Sequence, residues 1–244
     1  MCYSMTMSFM LAFVGLIGTI ITSIDPRIRR HFMYVPFAFY TCMELLQGIQ
    51  YMHVNRCGEP GNAVSTEVAY LLVIVQPFMW NAIYYLRTPA LGCDRRMFVV
   101  GMAMAFVWMC FSVAGRLLHG QPGYRAREND VHSYVSEGPE AGCTMRAAPG
   151  KHLYWKWASA DLRGIEANWL MYLLIWFVPA LVSVAQRKNV AVSVCTAAVA
   201  FAVTARFGAD MAEFASLWCM ISVPMLSLML VEAVFSRYSR FHLF

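Results

Sequence analysis

Seven apolar stretches, each closed by a short polar stop, constrain this chain more than any other feature of its sequence. A bilayer core about 30 Å thick needs roughly 20 apolar residues per helix, and a helix satisfies its own backbone there. The stretches cover residues 5–24, 32–53, 66–86, 97–118, 167–185, 190–207 and 209–236. Asp25-Pro26, then Arg27, Arg29 and Arg30, close the first; Arg87-Thr88-Pro89 close the third; Gln186-Arg187-Lys188-Asn189 close the fifth. Composition agrees, since 59% of the 244 residues are apolar and 14% are charged. A soluble domain carries roughly 25% charged residues. These proportions exclude a disordered chain, a nucleic-acid-binding protein and an ordinary soluble enzyme. Eight Cys scattered over so long a chain exclude a small disulfide-rich fold. The expected fold is all-α. It is a seven-helix transmembrane bundle forming a single integral membrane domain over residues 1–244, with a long outer loop at 119–165.

Basic residues give the orientation. Arg27, Arg29, Arg30, Arg87, Arg95, Arg96, Arg187, Lys188, Arg237 and Arg240 fall on one side of the seven spans. The other side holds Arg56, Arg206 and a long loop of mixed charge. Short basic loops stay in the cytoplasm, so the N-terminus is expected outside and the C-terminus inside. The first span lacks a preceding basic region and reads as a stop-transfer segment rather than a cleavable signal. Tyr84, Tyr85, Trp169 and Tyr238 are placed as interfacial anchors. The segment Gly150-Lys-His-Leu-Tyr-Trp-Lys-Trp157 reads as an aromatic belt lying on the membrane, in preference to a functional lid.

The same topology sorts the cysteines. Cys42, Cys110, Cys195 and Cys219 lie in spans, Cys93 faces the reducing side, and Cys2, Cys57 and Cys143 face the oxidising side. Spacing alone leaves the pairing open, including three free thiols. The expected bond is Cys57–Cys143, which would tether the long loop across the outer mouth.

A carboxylate near the bilayer centre costs roughly 2.5–3.5 kcal/mol and needs an explanation. Glu44, Gln47 and Tyr51 follow i, i+3, i+7 on one stripe of the second span, with Gln50 and His53 beside them. Glu44 lies about 12 residues, near 18 Å, from the start of its span. The third span adds Gln76-Pro77 and Asn81; Pro77 frees the Val73 carbonyl. Arg116, Asp210 and Glu213 lie near the outer ends of their spans, and Glu232 at an inner end. Two readings compete: amides and acids that glue helices together, or a polar cavity around Glu44, Gln47, Gln76 and Asn81 opening toward Arg116 and Glu213. The cavity is preferred, because glue does not explain a mid-depth Glu without a basic partner. Glu44 is then a largely neutral carboxyl donating to Gln47 or Gln76, while Arg116 pairs with Asp210 or Glu213.

His53, His119, His132 and His152 fall on the outer side, yet no ligand spacing accompanies them, so no metal and no cofactor are expected. The last span has no Lys for a retinal Schiff base, and there is no Pro-Gln pair of the SWEET type, no nucleophile elbow and no phosphate-binding Gly loop.

Met1-Cys2-Tyr3-Ser4, Met43-Glu44-Leu45-Leu46-Gln47, Gln76-Pro77-Phe78 with Asn81, Lys151-His152-Leu153-Tyr154-Trp155, and Glu213 through Trp218-Cys219 occur in that order. Together they resemble an uncharacterised family of multi-pass membrane proteins of microbes and some viruses that typically begin Met-Cys-Trp-Ser. This chain departs at Tyr3, where that family has Trp, and at Lys151, where it has Pro. The resemblance covers nearly the whole chain and names no reaction. It implies that Glu44, Gln47, Gln76, Asn81, His152 and Glu213 belong to one site; Arg116 and Trp218 complete the candidate set. The expected function is a small-solute or proton-linked transporter or sensor, its partners the lipid bilayer and a small polar ligand or proton, with no nucleic acid. The alternatives are a membrane-embedded enzyme using Glu44 or Glu213 with His152, and a structural or assembly protein.

Overall fold

Ser4 starts the first helix by turning its hydroxyl onto the Met7 amide, 3.4 Å away, and Asp25-Pro26 stops it. The computed structural model describes residues 4–29, 32–88, 93–119, 121–122, 142–146, 151–157, 160, 169–183, 186–207 and 213–235. In chain order these form α1 (Met5–Ile24), a single turn α2 (Pro26–Arg29), α3 (Tyr34–His53), α4 (Pro60–Arg87) and α5 (Cys93–Leu118). A hairpin of β1 (Cys143–Arg146) and β2 (Leu153–Lys156) follows, then α6 (Trp169–Val182), α7 (Arg187–Phe207) and α8 (Phe214–Phe235). The seven long helices coincide in order with the seven apolar stretches, and the architecture is all-helical apart from the hairpin. By length and apolarity, Met5–Ile24, Pro60–Arg87 and Arg95–Leu118 can cross a membrane. Leu170–Val182, Ser193–Phe207 and Phe214–Leu228 are shorter apolar helices.

Boundaries shift where polarity and helicity part company. Pro60 occupies the first turn of α4, so that helix begins six residues before its apolar stretch at Thr66. The extra turn carries Asn62 and Ser65, whose side chains find partners inside the protein.

Antiparallel packing of α1 on α3 depends on small residues. Ser8, Ala12, Gly15, Gly18 and Thr22 form the buried stripe of α1. A Cβ on Gly15 would sit 2.4 Å from the Thr41 hydroxyl, and one on Gly18 would sit 2.5 Å from the Phe37 ring. The two backbones can meet this closely only because those side chains are missing. The opposite face of α1 is apolar and open, with Phe13 63% exposed.

The β-hairpin (Cys143 paired with Lys156, Arg146 with Leu153) seals one end of the bundle. The Cys57–Cys143 disulfide, Cα atoms 5.3 Å apart, ties it to the α3–α4 turn as expected. Asn62 brackets Thr144 through two 2.9 Å bonds and also donates to the His53 carbonyl at 2.8 Å. Asn55, at φ 63°, brackets Arg146 in the same way. The aromatic segment is therefore no surface belt. Trp155 and Trp157 are buried, donating to Gln50 at 3.0 Å and to the Thr66 carbonyl at 3.1 Å. Tyr84 is likewise a core residue rather than an interfacial anchor, while Tyr85 packs beneath Arg95 at 4.1 Å. The Trp169 side chain, Tyr238, Cys2, the Cys93 side chain, His132, Asp210, the Glu232 side chain and the C-terminal tail lie outside the described residues.

Candidate functional site

Tyr40, Glu44, Gln47 and Tyr51 occupy one stripe of α3, turned into the bundle. Glu44 and Gln47 are fully buried. Neither Glu44 oxygen has a hydrogen-bond partner, and Gln47 Oε1 also lacks one. The groups acting on Glu44 include the Ser8 hydroxyl of α1, Tyr51 and the Cys219 thiol of α8. The expected bond from Glu44 to Gln47 or Gln76 is not made.

One turn above Glu44 the stripe joins a continuous polar track. Gln47 Nε2 donates to the Ser216 carbonyl of α8 at 3.3 Å. The Ser216 hydroxyl lies 2.8 Å from His152 Nδ1 and also contacts the Leu153 and Glu213 carbonyls. The His152 amide donates to Glu213 Oε2 at 3.3 Å. Tyr51 sets its ring edge-on to the His152 ring, centroids 6.3 Å apart, with Arg146 5.7 Å above its face. Burial pushes the His152 imidazole down to about 4; its bond to the Leu153 carbonyl opposes the drop and nearby Arg146 adds to it. The structure thus brings Gln47, His152 and Glu213 together at the hairpin end, with Glu44 below them.

Gln76 belongs to a different cluster. Its amide donates to the Tyr40 hydroxyl at 2.7 Å, and the Tyr172 hydroxyl donates to Gln76 Oε1. Trp218 donates to Thr196 Oγ1 at 3.1 Å and stacks on Trp176 at 4.9 Å. Two cavities flank these residues. One of about 10 Å³ is lined by Tyr40, Gln76, Tyr172, Trp218, Cys219 and Ser222 among others. The other, about 30 Å³, runs from Tyr40 and Trp218 toward Arg87. Glu44 lines neither.

Asn81 and Arg116 stand apart from both. Asn81 donates to the Pro77 carbonyl at 2.8 Å and to the Ile175 carbonyl of α6 at 3.0 Å. Arg116 forms a two-pronged ion pair with Glu67 of α4; of the partners expected for it, Asp210 lies outside the described residues. Glu67 is one helical step from the Thr66 that holds the hairpin, so the pair fastens α4 to α5 beneath it. Among the described residues no three His, Cys, Asp or Glu side chains gather as a metal would require.

Tyr40, Tyr172 and Ser216 carry much of this geometry without having been singled out from the sequence. Tyr40 was within reach, since it continues the Glu44 stripe by one turn. Tyr172 and Ser216 gave no local signal.

A family model, described as a family of unknown function (DUF5765), spans residues 6–239. The chain belongs to that family. The part matched by the DUF5765 model contains every residue of the polar track and begins after the Met-Cys-Tyr-Ser start. No curated protein and no solved structure matches the chain.

Proposed function

We propose that this is a multi-pass membrane protein of seven spans that takes up and releases a proton at Glu44, acting as a proton-linked sensor or carrier. The observation that carries this reading is a fully buried carboxyl at mid-helix with both oxygens unbonded. An ionised carboxylate with no cation and only the Ser8 hydroxyl acting in its favour is strongly disfavoured in such a place, whereas its acid form is tolerated. A proton arriving there must be exchanged, and the track from Gln47 through Ser216 and His152 to Glu213 leads toward the hairpin end.

The enzyme reading draws on the 2.8 Å contact of Ser216 with His152. It is the weaker reading, because Glu213 accepts from the His152 amide and Ser216 faces two main-chain carbonyls. Infrared difference spectra of the reconstituted protein across a pH titration test the proposal. We expect a protonated-carboxyl band that Glu44→Gln removes while the fold persists. An unchanged spectrum in that variant sinks the reading.

A further inference from the structure

The larger cavity lies away from the Glu44 track, near the Arg87 end of α4, and its chemistry points to a different ligand. We propose that it binds a small, weakly hydrated monovalent anion of the nitrate or halide class. Its walls include Arg87, Ser193, Thr196, Ser222, Trp176 and Trp218. Arg87 is half-buried and, among the described residues, meets no carboxylate. No Asp or Glu lines the cavity. Trp176, 1% exposed, keeps its Nε1–H without a partner. The Tyr84 hydroxyl lies beside Trp176 and Ser193 but is not part of the cavity wall.

A half-buried cation that meets no carboxylate, next to an indole N–H without a partner, is a site for negative charge. The cavity volume of about 30 Å³ limits the guest to a few heavy atoms and leaves no room for a phosphate ester. The indole faces and the side chains of Met33, Met225 and Leu226 make most of the wall apolar, which suits an anion that gives up its water cheaply. Cations are repelled by Arg87.

Calorimetric titration of nitrate into the full-length protein in detergent, with gluconate holding ionic strength constant, tests this directly. Saturable one-site binding is expected. Arg87→Gln should weaken it about tenfold or more, through loss of a charge-assisted bond. Trp176→Phe, which keeps the ring stack but removes the N–H, should weaken it about two- to tenfold. Trp108→Phe removes another buried, unpartnered indole N–H that lies outside the cavity and should change nothing. The proposal is overturned if the folded wild-type protein shows no saturable binding, or if Arg87→Gln binds as wild type does. Should Arg87→Gln fail to fold, an unchanged affinity in Trp176→Phe overturns it equally.

Discussion

Asn81 shows how a single side chain can repair a neighbouring helix. Pro179 has no N–H, so the Ile175 carbonyl four residues earlier in α6 loses its usual donor. Asn81 supplies one from α4, while its second amide hydrogen meets the Pro77 carbonyl in its own helix. Ile175 is buried, so its carbonyl has no water to turn to. Asn81→Ala should therefore cost about 1–3 kcal/mol of stability, measured by unfolding in mixed micelles. Adding Pro179→Ala, which returns a backbone donor to Ile175, should recover part of that loss. The sequence marks Asn81 as a polar residue in a span but does not reveal its partner, because Ile175 is brought alongside only by the packing of α6. His152 supports a second expectation. Its imidazole is held at about 4 in the folded protein, against roughly 6.5 when free. Between those values the unfolded chain binds more protons, so the contribution of His152 to stability is complete above about pH 6.5 and is lost as pH falls toward 4. Wild type should thus lose up to roughly 3 kcal/mol more than His152→Asn over that range. Parallel pH profiles in denaturant titrations would refute the account.

Elements meet in this protein through absence of bulk as much as through polar bonds. The α1–α3 contact is set by Gly15 and Gly18, and a side chain at either must push Thr41 or Phe37 aside. Gly18→Leu should lower stability by about 1–3 kcal/mol through overpacking, whereas Phe13→Leu on the open face should be close to neutral. A thermal melt of the two variants side by side decides this. The hairpin is the element the sequence concealed most. Its strands are four residues each, and β2 carries Lys and Trp together, so hydropathy reads that segment as a membrane-surface loop. What buries Trp155 and Trp157 is the polar turn of α4, whose Asn62 and Thr66 gain bonds to Thr144 and Trp157 when the hairpin docks. Closing the 86-residue separation between Cys57 and Cys143 restricts the unfolded chain. Cys57→Ser should accordingly cost about 2–4 kcal/mol and speed amide exchange in the hairpin relative to the bundle.

At the scale of the molecule, the helix order was readable because apolar length and basic stops are local properties, while the candidate site was readable only in part. Glu44 and Gln47 announced their shared stripe through spacing on one helix; the division of the other candidates among the hairpin track, the Gln76 cluster and two structural bonds depends on which helices touch. The antiparallel order also bears on orientation. Phe9 lies against Gly48 and Phe37 against Gly18, so the start of α1 lies at the same end as His53. Lys151 reaches the Phe207 carbonyl, and the His152 amide reaches Glu213, placing the end of α7 and the start of α8 there too. Arg87, Arg95 and Arg96 gather at the opposite end. A lasting disulfide needs an oxidising compartment, and short basic loops favour the cytoplasm, so the orientation expected from both is open to a direct test. A charged, membrane-impermeant thiol reagent applied to intact cells provides the check. In a background with Cys2 and Cys93 replaced by Ser, Gln121→Cys should be labelled from outside and Arg96→Cys only after permeabilisation. Both positions are exposed and outside the apolar stretches, so a reversed pattern could not be blamed on burial and would invert the whole bundle.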